Sequence, residues 1–350
     1  MRLWSAKRSS ASAPADRSDL GGVRYDAARA RSSRAGHVES WFLKANDPRG
    51  RRALWLRWTI WAGDLAPDRA LAETWAVAFG ATGGPVATKT SVPFERASFG
   101  GDALGAEVDG CILSPEVARG RVESGGRSIA YDLSLESLGP PIVHLPVRWM
   151  YAPAFPFQKL VSLMPNVRVR GTAIVQGESW ALEGWPGMVG HTWGRAHSEP
   201  YAWGHCNAWD ADTPDGELVL EGFTVRPGAM LPPVTSLTLR VGGEEFPLNG
   251  LSSLAQNGGD ISPRRWSFRG FRARRPRVEV AGEMWADTDD FVGLFFDQPD
   301  GSQCLCLNSM LARAEITLSI AGRPPRTLRS ERAALELATS DPHHGVRMHL

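Results

Sequence analysis

Residues 187–210 read GMVGHTWGRAHSEPYAWGHCNAWD, and the second half of that stretch decides how the chain folds. Side chains of a β-strand alternate between two faces. On that period Tyr201, Trp203, His205, Asn207 and Trp209 share one face, and Ala202, Gly204, Cys206 and Ala208 share the other. A solvated face would carry Lys, Glu or Thr, and an ordinary core face Val, Ile or Leu. A face that is aromatic and hydrogen-bonding at once suits the lining of a ligand pocket, because His and Asn are costly to bury without partners. The small-residue face suits close approach of another layer. The other reading of the same strand is a buried one whose polar atoms are satisfied internally.

Working outward, the alternation recurs. ESWFLKA (39–45) and ALWLRWTIWA (53–62) flank a turn at 46–50 and predict a hairpin. In the second of them Leu54, Leu56, Trp58 and Ile60 oppose Trp55, Arg57, Thr59 and Trp61. Further strands are predicted at 71–79, 86–94, 107–113, 117–123, 127–136 and 167–177. Beyond the motif they continue at 217–225, 234–241, 264–271, 276–286, 291–297, 303–309, 313–321 and 325–339. Residues 139–166 carry five prolines between Pro140 and Pro156, and predict an ordered apolar crossover with one helical turn near Gln158–Leu163.

Many short strands with almost no helical period mean an all-β fold, two tandem antiparallel barrel or sandwich modules with little helix. A chain of 350 residues is long for one ordinary domain and comfortable for two. The expected boundaries are a disordered tail over 1–36, a first β domain over 37–185 that includes the crossover, and a second over 186–350, with the two meeting near 180–190. The first 22 residues, rich in Arg, Ser and Ala, offer too little apolar surface to offset the entropy of ordering them. No sequence repeat relates the halves.

With 39 basic and 38 acidic residues the net charge is +1, which argues against a nucleic-acid partner. No apolar run is long enough to span a bilayer, and no secretory signal opens the chain. Cys111, Cys206, Cys304 and Cys306 are scattered and read as reduced thiols, so a cytoplasmic location is expected. No Rossmann, P-loop or nucleophile-elbow pattern occurs. His191, His197 and His205 are separated by five and seven residues, which matches no compact zinc pattern.

Acid–base chemistry fits the residues better. His191 and His205 are the candidate proton carriers, Glu39 their carboxylate partner, and Arg195 an anchor for a carboxylate or carbonyl. Trp41, Trp193, Tyr201 and Trp203 are the candidate cavity walls, with His197 and Asn207 as further ligand contacts. His191 has a structural alternative, capping a turn or tying the modules together.

The stretches ESWFLKANDPRGRRALWLRWTI (39–60) and GHTWGRAHSEPYAWGHCNAWD (190–210), and above all the H-x-W-G element at His191–Gly194, resemble a two-domain lipocalin-like superfamily. It is that of carotenoid 1,2-hydratase, tocopherol cyclase and the lipocalin-type Diels–Alderases. The resemblance implies two tandem calycin-type barrels, an apolar cavity near their junction, lipophilic isoprenoid or polyene substrates and no organic cofactor. It does not choose a reaction, since one fold hosts many. Two functions stay open: a cofactor-free enzyme for hydration, cyclisation or isomerisation of a lipophilic molecule, or a carrier of one. Carbohydrate recognition through exposed Trp is a weaker third.

Overall fold

The alternation of ALWLRWTIWA survives in three dimensions. Leu54, Leu56, Trp58 and Ile60 are buried in one core, while Trp55 from the opposite face is buried in another. The computed structural model describes residues 20–28, 36–64, 69–152, 158–210, 213, 216–226 and 231–350. Within them the fold is all-β, a twelve-stranded and a ten-stranded antiparallel sheet in tandem. Helix is confined to short turns such as Leu251–Leu254.

Both sheets are laid out alike, although the sequence shows no repeat. In the first, strand His37–Asn46 pairs on one side with Ala53–Ala62 and on the other with Glu178–Gly194, the last strand of its sheet. In the second, Tyr201–Cys206 pairs with Leu218–Val225 and with the final strand, Arg326–Thr339. Each sheet owns one long hairpin, Gln158–Val175 with Glu178–Gly194 and Gln303–Ile320 with Arg326–Thr339. Each hairpin bends at register shifts, between Ser162 and Val167 in the first and between Ser309 and Ala314 in the second. The sheets curl back on themselves. Val86–Pro93 comes against Val117–Ser124, and Glu244–Leu248 against Arg265–Arg272.

Two expectations are corrected. Gln158–Leu163 is not a helical turn but the start of the 18-residue strand Gln158–Val175, and the nearby turn is a 3-10 one at Arg148–Tyr151. Pro165 is accommodated because it sits in the irregular part of the pairing, where the ladder makes no demand on its missing N–H. Trp185-Pro186-Gly187 is likewise inside a strand, paired with Val167–Val169. The change from the first sheet to the second therefore falls between Gly194 and Tyr201.

Three cores result. Trp41, Leu43, Leu56, Trp58, Val189 and Trp193 belong to the inside of the first module, and Ala202, Cys206, Trp266, Met284 and Leu335 to the inside of the second. A third core is made by the outer faces meeting: Phe42, Trp55, Trp75 and Met188 pack with Tyr201, Trp203, Leu294, Phe296 and Met310. At roughly 1.5–3 kcal/mol for each large apolar side chain buried, this junction is a substantial interface rather than a loose contact.

The small face of Tyr201–Cys206 is thus pressed into the second core. A Cβ added at Gly204 would lie 2.5 Å from Met284 Sδ and 2.8 Å from the Trp266 ring. Gly204→Leu is expected to destabilise the fold by at least ~1–3 kcal/mol through overpacking, measured by denaturant melts. A variant as stable as the parent would contradict the packing described.

Candidate functional site

The outer faces do not meet everywhere. Phe42, Trp55, Leu160, Tyr201, Trp203 and Phe296 line a cleft between the sheets, with about 790 Å³ of empty space including its open part. Strand period explains the lining. Phe42 alternates with Trp41 and Leu43, which point into the first core, and Tyr201 and Trp203 alternate with Ala202 and Gly204. Phe42 and Trp203 meet edge to face at 5.5 Å.

Polar groups enter this apolar cleft from both sides. From the first sheet, Arg57 is 6% exposed and donates through Nε and Nη2 to Ser40 Oγ at 3.0 and 2.8 Å. Its guanidinium lies over the Phe296 ring at 4.2 Å and near Trp75 at 5.8 Å. From the second sheet, the Tyr201 hydroxyl donates to Glu336 Oε1, and Asn308 Nδ2 donates to Glu336 Oε2 at 2.8 Å. Burial, then the Glu336 charge, pushes the Tyr201 phenol well above its ordinary range, so it stays a donor. His197 is half-buried overall, with its ring 4.9 Å from that of Phe296. Burial and the Arg57 charge lower its pKa to about 3, which keeps it neutral. Lys159 is buried at the cleft wall, and burial, then the charge of Arg195, lowers its pKa to about 8.

Behind Trp203 lies a sealed polar layer. Trp203 Nε1 donates to Glu221 Oε1 at 3.0 Å, as does Ser162 Oγ at 2.5 Å, and His144 Nε2 stands 3.4 Å from Glu221 Oε2. Burial would raise the Glu221 pKa, but the neighbouring His144 and His205 and the Ser162 hydroxyl bring it down to about 2. His205 is 0% exposed, and its Nε2 donates to the Pro165 carbonyl at 2.8 Å. Burial, reinforced by the Lys44 charge, takes the His205 pKa to about 3. Asn207 donates to Asn166 Oδ1 and to the Gly187 carbonyl, and accepts from the Lys44 ammonium at 3.2 Å.

His191, Glu39, Trp41 and Trp193 occupy the other side of the first sheet. His191 is stacked between Trp41 and Trp193, with both ring centroids 4.6 Å away. Its Nδ1 is 2.7 Å from the Leu20 carbonyl, which can only accept, so Nδ1 carries a proton; Nε2 and Glu39 Oε1, 2.8 Å apart, share another. Glu39 also accepts from His37 Nε2 and from the backbone N–H groups of Arg24 and Tyr25. Burial pulls the Glu39 pKa upward, but the bonds from His191 and His37 leave it net below the usual carboxylate value. Trp41 Nε1 donates to the Gly21 carbonyl at 2.9 Å.

Residues 20–25 thereby depart from the tail expected over 1–36, while 1–19 and 29–35 lie outside the described residues. The segment is held by its backbone, whose carbonyls and N–H groups satisfy His191, Trp41 and Glu39, and by Leu20 and Tyr25, which are buried in the first core.

Of the predicted site residues, Tyr201, Trp203 and His197 line the cleft together. His205 and Asn207 share their strand face but lie deeper, in the sealed layer, and His205 as a neutral imidazole is no proton donor near neutrality. His191, Glu39, Trp41 and Trp193 are separated from the cleft by the sheet itself, and Arg195 is exposed and does not line it. Arg57, Lys159 and Glu336 were missed. The signal for Arg57 was present: one cation amid the tryptophans of ALWLRWTIWA. Glu336 had a fainter one, an acid between Ala334 and Ala338, whose small size leaves room beside it on the junction face. Among the described residues no three His, Cys, Asp or Glu side chains converge as a metal site.

No protein-family profile matches the chain. An uncharacterized protein of Mycobacterium tuberculosis is 25% identical over 293 residues, 83% of each chain. Among solved structures, CghA with Sch210972 covers 88% of this chain and 90% of its own, at a TM-score of 0.57 and 13% identity. Kievitone hydratase from Nectria haematococca covers 86% of this chain and 89% of its own, at a TM-score of 0.50 and 10% identity. The chain has their fold. At that identity the likeness reaches the architecture and leaves the chemistry to the residues.

Two predictions test the buried groups. The unfolded chain protonates His205 near 6.5 and the folded chain only near 3, so stability is lost as pH falls through that window. His205→Gln removes this dependence: the stability gap between parent and variant should narrow from about pH 7 to about pH 4 in denaturant melts. An unchanged gap would contradict it. Deleting residues 1–25 strips Glu39 and His191 of partners that deleting 1–19 spares. The longer truncation should cost several kcal/mol more, at roughly 1.5–3 kcal/mol for each hydrogen bond to a charged group. Equal melting temperatures would show that the tie contributes nothing.

Proposed function

We propose that this protein is an enzyme that binds a mostly apolar small molecule in the cleft between its sheets and transforms it by acid–base chemistry. The observation that carries the proposal is the Tyr201–Glu336 pair, a hydrogen-bonded phenol and carboxylate on the wall of an otherwise aromatic cleft. Glu336 is the group to accept a proton from a bound molecule, and Tyr201 the group to return one. Asn308 fixes the far oxygen of the carboxylate, which orients the pair. Phe42, Trp203, Phe223 and Phe296 offer ring faces and edges to an extended unsaturated skeleton of polyene or isoprenoid type.

Hydration, cyclisation and isomerisation each need a proton moved at the bound molecule, hydration with a water admitted beside it, and none needs a cofactor. A hydratase with this fold, kievitone hydratase, and CghA, solved with a small molecule, support that class of reaction. The competing reading is a carrier. It accounts for the aromatic lining but gives no task to an acid–base pair on the cleft wall.

Two substitutions separate the readings. Native mass spectrometry of the purified protein identifies any co-purified ligand, and Trp203→Ala should reduce its occupancy under either reading. Glu336→Gln should retain the ligand and slow its conversion by ~10²–10⁴-fold, followed by liquid chromatography with mass detection. A ligand that the parent releases unchanged marks a carrier. Conversion by Glu336→Gln at the parent rate would remove the pair from the mechanism.

A further inference from the structure

Arg57 has no ion-pair partner among the described residues. Arg240, the other buried arginine among the described residues, is better matched. It is 7% exposed, is paired with Glu245 and also donates to the carbonyls of Pro140 and Pro141. Arg57, 6% exposed, has a single hydroxyl, Ser40 Oγ, for two of its N–H groups, and aromatic rings beside its plane. A guanidinium has five N–H donors in a fixed fork and does not lose its proton in proteins. A charge taken out of water costs several kcal/mol unless it is matched. The aromatic faces of Phe296 and Trp75 recover part of this cost, and they leave the N–H edge of the fork unmatched. Arg57 lines the cleft.

The rest of the cleft does not supply the missing charge. Glu336 is the carboxylate on its wall, and its two oxygens are engaged by Tyr201 and Asn308 from the second sheet. Glu73, on the neighbouring strand, is held by Trp75 Nε1, Ser91 Oγ and Lys89 rather than by Arg57. His197 is neutral. With the Arg57 charge unmatched by an ion pair among the described residues, the cleft favours negative charge on what it holds and disfavours a developing carbocation, which would meet Arg57 in a low-dielectric space.

We infer that the molecule bound in the cleft is an amphiphile with an anionic head, a carboxylate above all, which docks on Arg57 while its apolar body lies along Phe42, Trp203 and Phe223. This rests on the cleft being the binding site, as proposed above. A planar carboxylate matches the guanidinium fork in two parallel hydrogen bonds, which a round phosphate or a lone hydroxyl does less well. The position of Arg57 on the first sheet, facing Tyr201 and Glu336 on the second, would set the register of the body against the acid–base pair. Arg57 is therefore assigned as a specificity-determining residue, with no proton of its own to give.

The test compares cis-parinaric acid with its methyl ester by fluorescence titration of the full chain near neutral pH. These are the same polyene with and without the charge. The acid should bind roughly 10- to 100-fold more tightly than the ester, the worth of a charged hydrogen bond in a dry site. Arg57→Gln should abolish that preference while leaving ester affinity close to that of the parent, and Arg57→Lys should restore part of it. Trp203→Ala should weaken acid and ester alike. Equal affinity of the parent for both probes, with both sensitive to Trp203→Ala, would overturn the anionic head and leave the cleft standing. Failure of both probes to bind, or binding indifferent to Trp203→Ala, would overturn the cleft and the inference together. If Arg57→Gln fails to fold, the parent's acid-to-ester ratio and Arg57→Lys decide the matter.

Discussion

The Lys44 ammonium is 0% exposed, and it donates to Asn46 Oδ1 at 3.0 Å and to Asn207 Oδ1 at 3.2 Å. Lys44 and Asn46 belong to the first strand of the first sheet, and Asn207 follows the first strand of the second. Asn46 in turn donates to the Met310 carbonyl across the junction, and Asn207 to Asn166 and the Gly187 carbonyl. This strap is the constraint on which the relation of the two modules depends. An apolar interface alone would tolerate small rotations of one sheet over the other, whereas a buried charge and its amide partners tolerate few arrangements, because each misplaced donor costs a full desolvation penalty. The third core then closes around the strap, and the cleft is what remains where the outer faces diverge.

Three histidines a few residues apart in sequence end in three environments. His191 is a fully bonded imidazole between two indoles inside the first module. His205 is a neutral donor to a carbonyl in the sealed layer at the junction. His197 is a neutral ring on Phe296 at the cleft. None is placed as the proton donor that its residue type suggests. The cleft instead offers a phenol and a carboxylate, side by side, with a guanidinium across from them. The reason is spatial: a sheet is one residue thick, and neighbours in sequence point to opposite sides of it.

The backbone of residues 20–25 has a comparable role to that of a side chain. It closes the polar cluster of Glu39, His37 and His191 without contributing a titratable group of its own to the cluster. Such a contribution leaves no compositional trace, and it adds to the burial of Leu20 and Tyr25 in the first core.

Read alone, the sequence determined the secondary-structure class, the hairpins and the two faces of Tyr201–Cys206, because strand period is a local property written in every second residue. It also placed Tyr201, Trp203 and His197 beside a pocket. It could not say which sheet face would meet which. Glu39 and His191 satisfy every compositional rule for an acid–base pair, and they are hydrogen-bonded to each other, but they face the interior of the first module, and only the pairing of His37–Asn46 with Glu178–Gly194 shows it. Arg57 and Glu336 lie 279 positions apart by their numbering, on strands of different sheets. They share a cleft because two curled sheets pack back to back, and that is a decision of tertiary structure, in which contacts far apart along the chain outweigh the local pattern.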